Sequence, residues 1–244
     1  MSVAASSWSE SRAPYVPGAP VRVYVWELPV RVSHWFIVIA IAALAFTGYY
    51  MHNPFIIVRS SSAYMMGTMR YLHLLAAAVF ISAFLLRLYW FFVGNEWSNW
   101  RAFVPIHRRQ WQGMGSMVAY YSFARKYLAH HVGHNALAAV TYMLIFTFML
   151  IEILTGLALY SCTVSSKVLT FFIGWLPHWI NISYLRLTHF CIMFAFFIFV
   201  IHHFYSAVLV SWEERNGLIE SIFTGYKFVP EEELPEPTTA KRIG

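Results

Sequence analysis

Eleven histidines stand in a chain of 244 residues that is 59% apolar and only 11% charged. Four histidine positions fall inside long apolar runs: His34, His73, His189 and the His202/His203 pair. An imidazole in such a run needs a partner, and the choices are a hydrogen bond to a neighbouring helix or a metal. Spacing separates the two readings. His189 and His203 are 14 residues apart, and 14 helical steps of about 100° return to within about 40° of the starting face, some 21 Å further along. Two ligands on one stripe of a helix can serve two stacked haems. His202, at a separation of 13, points about 140° away, so His203 is the expected ligand. His202 then faces a neighbouring helix or lipid headgroups.

Arg31, Arg70 and Arg186 each stand three residues before one of these histidines, as R-x-x-H. One helical turn separates each pair, and each arginine falls on the aqueous side of its histidine. A guanidinium there could bind a haem propionate bidentately, with lipid phosphate as the competing partner. Arg87 follows His73 at the same interval that separates His189 from His203. It therefore returns to the same stripe at the other end of its helix and is a fourth candidate. Gly48 and Gly156, each after a threonine, either let a porphyrin approach the backbone or let helices pack closely. The two cysteines, Cys162 and Cys191, form no C-x-x-C-H and are too few for an iron–sulfur cluster. A haem would therefore be held non-covalently, as b type, and its electrons would come from a partner. Cys191 reads as a packing residue, without a disulfide to Cys162.

The elements that must hold these side chains are membrane spans. Four stretches are long enough to cross a hydrocarbon core, which takes roughly 20 residues: Val32 to Met51, Tyr71 to Val93, Ala136 to Tyr160 and Leu187 to Ser211. The first and last contain no Asp, Glu, Lys or Arg, the second only Arg87 and the third only Glu152. Glu152 is expected to hydrogen-bond within the bundle and not to form part of a proton path. The expected fold is all-α: an integral membrane four-helix bundle binding two stacked b-type haems. Residues 1–28 form an amino-terminal segment, 29–228 the membrane domain and 229–244 a disordered tail rich in glutamate and proline. Gly113 to Ala129 reads as a surface helix or a linker. Val168 to Ile180, short and carrying Pro177 and His178, reads as a re-entrant or interfacial piece and not a fifth span.

Orientation follows from the basic residues. Outside Arg87, twelve Lys and Arg lie in the amino-terminal segment, the 94–135 loop and the tail, against four in the other two loops. The positive-inside rule places both termini and the 94–135 loop in the cytoplasm. No secretory signal precedes the first span. The net charge of +6 then reflects topology and anionic lipid, not nucleic acid. His73 and His189 share a depth near the periplasmic ends of their spans, and His34 and His203 lie toward the cytoplasm. Each pair would clamp one haem, the second provided that the first helix begins near Pro29. His130, His131, His134 and Asn135, at the cytoplasmic start of the third span, could supply the protonatable groups of a quinone site or contact headgroups.

These residues lie in stretches whose order and spacing are specific: PVRVSHW with a following FTG, RYLHLLAAAVFI, RLYWFFVGN, VGHNALA, ILTGLALY, and FVIHHFYSAV followed by TGYK. Over nearly all of Val25 to Lys227 the chain resembles the cytochrome b subunit of membrane-bound nickel–iron hydrogenases. The resemblance implies that His34, His73, His189 and His203 are haem-iron ligands, with two haem b as cofactors and quinone as acceptor. It implies as partners a hydrogenase small subunit with its own transmembrane helix, the nickel–iron large subunit, the lipid membrane and the quinone pool. The expected place is the bacterial inner membrane, and the expected role is electron transfer within a hydrogen:quinone oxidoreductase whose hydrogen chemistry lies in the partners. The competing readings are the cytochrome subunit of a formate dehydrogenase, a histidine-lined metal-ion transporter and a pure anchor. Glu152 departs from the apolar residue that the resemblance expects.

Overall fold

The computed structural model describes residues 20–55, 64–103 and 136–230. Along the chain run β1 (Pro20–Tyr24), α1 (Leu28–His52), α2 (Met65–Val93), α3 (Trp100–Phe103), α4 (Ala136–Ser161), α5 (Lys167–Phe172), α6 (Leu176–Trp179), α7 (Ile182–Glu214), α8 (Leu218–Thr224) and β2 (Tyr226–Pro230). Among the described residues α1, α2, α4 and α7 are long and apolar enough to cross a membrane. The stretch expected as a surface helix, Gly113 to Ala129, lies outside the described residues.

The helices overrun the apolar spans because apolar character ends with the hydrocarbon, whereas backbone hydrogen bonding continues into the interface. The first span is the case that matters: α1 starts at Leu28, with Glu27 as its N-cap residue and Pro29 in its first turn. Proline fits there because its missing N–H would have no helical partner. His34 therefore sits well inside the helix, about 9 Å from its start. At the other end of the chain α7 is capped by Asn181, whose side chain accepts from the Ser183 amide at 2.8 Å. Arg215, in the left-handed region at φ 48°, ends it.

α1 packs along α2 and α4 along α7, and the two pairs meet in a shared middle layer. Ile37 and Ala40 come from α1, Phe80, Ala83 and Phe84 from α2, Ile145 and Met149 from α4, and Ile192 and Phe196 from α7. Lipid tails are as apolar as these side chains, so the layer is held by close packing more than by water exclusion. As the sequence suggests, Val168 to Ile180 does not span: it forms α5 and α6, tucked under the bundle by Ile173 against Ala158 and Leu185. Phe171, Phe172, Trp175 and Trp179 are left exposed, the aromatic composition of a membrane interface. Both cysteines are free and exposed, which corrects the expectation that Cys191 is a packing residue.

A two-stranded sheet closes one end and is an exception to the all-α expectation. β1 and β2 pair antiparallel, Pro20 opposite Pro230 and Tyr24 opposite Tyr226. Val229, placed by the sequence at the start of a disordered tail, is buried here with Val23 and Val25. Gly225, at φ 91°, turns the chain from α8 into β2, and its carbonyl accepts from the Val25 and Trp26 amides at 2.8 and 3.1 Å. A Cβ at this position would meet the Trp26 carbonyl oxygen at 2.8 Å, so both the angle and the space call for glycine.

Glu27 ties this sheet end to the helices. Its carboxylate accepts from Trp90 Nε1 and the Asn95 amide at 2.8 Å each and from Ser98 Oγ at 3.1 Å, while Asn95 Nδ2 donates to the Val25 carbonyl at 3.0 Å. The start of α1 is thereby fixed to the end of α2. Glu27→Ala leaves three donors without their acceptor in a half-buried place, and the expected loss of stability is about 2–4 kcal/mol. Thermal unfolding in detergent checks this; an unchanged midpoint would show that the cluster is dispensable.

Candidate functional site

α7 carries both halves of the site on one stripe. His189 faces His73 of α2, with ring centroids 6.4 Å apart and planes at 67°. His203, further along the same stripe, faces His34 of α1, also at 6.4 Å, with planes at 55°. A metal held between two imidazoles needs about 2.0 Å for each metal–nitrogen bond and about 1.2 Å from each nitrogen to its ring centre, or about 6.4 Å between centroids. Both pairs therefore fit a bis-histidine metal centre. His73/His189 lies at the far end of the bundle and His34/His203 toward the sheet end. The apolar middle layer, with Ile192 and Phe196 of α7, lies between. His202 is exposed, pointing away from the stripe as the helical angle requires.

The far-end pair is held by a repeated Thr-Gly device. Thr47 Oγ1 donates to the Ala43 carbonyl at 2.7 Å, one turn back, and lies 2.9 Å from His73 Nδ1. Thr155 repeats this on α4, donating to the Ile151 carbonyl at 2.8 Å and lying 3.0 Å from His189 Nδ1. A hydroxyl whose proton is committed to a carbonyl can only accept from Nδ1–H. The tautomer so fixed leaves Nε2 with the free lone pair, as a metal ligand requires. The following glycine clears the ring: a Cβ on Gly48 would stand 3.3 Å from His73 Cε1, and one on Gly156 3.1 Å from His189 Cε1. The threonines were not singled out from the sequence, although the recurrence of Thr-Gly in FTG and LTG carried the signal.

Glu152, on the same face of α4 as Thr155, brings Oε2 to 3.3 Å from His189 Nδ1. The approach is close but is not an aligned hydrogen bond, and this buried oxygen has no hydrogen-bond partner among the described residues. At the sheet end His34 Nδ1 is buried and likewise lacks a partner among the described residues. His203 is oriented by stacking on Phe199 at 5.3 Å and by the edge of Tyr142 at 6.4 Å.

The arginines divide. Arg70 and Arg186 are exposed, one turn outside His73 and His189. Arg31 donates to the Phe223 carbonyl, joining α1 to α8. Arg87 is buried, with both terminal nitrogens 3.3 Å from the Ser98 carbonyl and its guanidinium 5.7 Å from the Phe146 ring. These two ties at the sheet end were not foreseen from the sequence. His130, His131, His134 and Asn135 lie outside the described residues. Among the described residues no three His, Cys, Asp or Glu side chains converge on one point; the intramembrane histidines meet in pairs.

Four membrane-length helices, with histidines facing one another in two pairs among the described residues, mark a multi-pass membrane protein, and the comparisons make it a b-type cytochrome. The chain belongs to the prokaryotic cytochrome b561 family, which it matches over residues 25–225. It is 35% identical to a probable Ni/Fe-hydrogenase B-type cytochrome subunit of Bradyrhizobium diazoefficiens over 210 residues, 83% of this chain and 85% of that one. The protein of the same description in Rhizobium leguminosarum bv. viciae is 33% identical over 217 residues, 86% and 91% of the two chains. The probable Ni/Fe-hydrogenase 1 B-type cytochrome subunit of Escherichia coli K12 is 38% identical over 144 residues, 58% and 61% of the two. These are the relatives that the motifs resemble.

Proposed function

We propose that this chain is the membrane anchor and dihaem cytochrome b of a hydrogen:quinone oxidoreductase, with one haem b between His73 and His189 and a second between His34 and His203. The observation that carries the reading is the pair of 6.4 Å ring separations built from two histidines on one stripe of α7. Bound in these places, haem iron supplies one-electron exchange, with a potential set by its two imidazoles and their surroundings. Thr47 and Thr155 keep Nε2 of His73 and His189 free to ligate. Arg70 and Arg186 offer guanidinium to propionates at the far end; Arg31 and Arg87 do so at the sheet end while keeping their carbonyl partners. The packed middle layer excludes water, so protons do not follow electrons through the bundle.

By the positive-inside rule the sheet end is cytoplasmic, and the far end faces a periplasmic hydrogenase small subunit, its membrane helix and the nickel–iron large subunit. Quinone receives its protons on the cytoplasmic side, with His130, His131, His134 and Asn135 before α4 as the groups to relay them. The membrane is then the inner membrane of a bacterium. The names of the relatives favour a hydrogenase partner over a formate dehydrogenase, and histidine pairs favour a cytochrome over an ion transporter.

The test is to isolate the chain in its native complex and add hydrogen: b-type absorbance should reduce, then reoxidise on adding a soluble quinone, and nickel should co-purify. Absorbance that ignores hydrogen, or molybdenum or tungsten in place of nickel, would contradict the proposal. A sharper local test is Gly156→Val, which drives a branched side chain into the space of the His189 ring. Haem content should fall by about half while the chain stays in the membrane; full haem content would show that the ring is not held against α4.

A further inference from the structure

Glu152 is the only acidic residue within the four apolar stretches of the sequence, and it stands beside a proposed iron ligand. Its Oε2 is 3.3 Å from His189 Nδ1, with the side chain only 16% exposed. With Thr155 Oγ1 at 3.0 Å, two oxygens from one turn of α4 face the same ring nitrogen. His73 Nδ1 has one such oxygen, that of Thr47, and His34 Nδ1 has none among the described residues. The surroundings of Nδ1 therefore differ between the far-end pair and His34.

A bundle held by packing has no need of this carboxylate. Its Oε2 meets α7 only through the close approach to His189 and makes no aligned hydrogen bond, and a buried oxygen left in that condition calls for a functional reason. Beside a ligand the reason is available. Acceptors around the N–H of a metal-bound imidazole raise the basicity of its ligating nitrogen. A more basic ligand favours the ferric over the ferrous state.

We propose that Glu152 is a positioning residue that acts through His189 to set the potential of the far-end haem below that of the sheet-end haem, so that electrons entering at the far end move downhill toward the sheet end. This rests on the reading of the two histidine pairs as two haem sites.

The experiment is a spectroelectrochemical titration of the purified complex carrying the native chain, Glu152→Gln, Glu152→Leu or Glu152→Asp. The native chain should show two midpoints. In the Gln and Leu variants both haems should remain, and the lower midpoint alone should rise by a tenfold change in its reduction equilibrium, about 59 mV for one electron. The Asp variant, with its carboxylate on a shorter arm, should fall between. The low-spin electron paramagnetic resonance signal of that one haem should shift in parallel, which a merely structural glutamate would not cause. Should the Gln variant fail to assemble, the Leu variant, with the apolar type that the resemblance expects at this position, decides. Two haems with unmoved midpoints would overturn the inference, as would movement of the upper midpoint instead. A native chain with fewer than two haems would overturn the dihaem reading beneath it, and the two failures are thereby told apart.

Discussion

His189→Ala should leave one haem b where the native chain holds two, and should disconnect hydrogen from quinone while the partner's dye-linked hydrogenase activity persists. The cause is geometric. His73 has one ring facing it at a ligating distance, that of His189, and an alanine there leaves a single imidazole on an iron that needs two. His34 and His203 are a separate pair beyond the packed middle layer, so their haem should keep its low-spin spectrum. Loss of the partner's own activity would indicate a failure of assembly rather than of ligation, and His73→Ala controls for it by removing the same haem from another helix. Retention of two low-spin haems in either variant would contradict the assignment.

The adjacent histidines at the other end give the second large effect. His203→Ala should remove the sheet-end haem and block electron delivery to quinone, whereas His202→Ala should leave both haems in place. The two residues differ by one position, and one helical step rotates a side chain by about 100°. That step carries His203 onto the stripe facing His34 and leaves His202 exposed. Optical quantification of haem in the two variants checks this; haem loss in His202→Ala with retention in His203→Ala would reverse the choice.

The two histidine pairs were legible because helical periodicity is a local property and the interval from His189 to His203 is close to a whole number of turns. The four spans were legible by length, and the short α5–α6 segment by being too short. What lay beyond the sequence depends on distant parts of the chain. β1 and β2 are five residues each and pair across the whole membrane domain, with Gly225 and the Glu27 cluster as the fastening; no local pattern announces them. The start of α1 at Leu28 lies outside the apolar run, but Pro29 marked it in the sequence, and the structure begins the helix one residue before that proline. Thr47, Thr155 and Glu152 become readable only once α1 is set beside α2 and α4 beside α7, because their roles lie in which neighbouring ring they face. Glu152 was expected to find a hydrogen bond in the bundle; the structure places it against His189 without an aligned one.

The central claim is that the two histidine pairs each hold a haem, and the most direct measurement is haem b per polypeptide in the purified complex, from a reduced-minus-oxidised spectrum calibrated by extracted haem. The account predicts two haems per chain, both low-spin and bis-histidine, falling to one when either pair loses a member. A single haem, or none, in the native chain would contradict it.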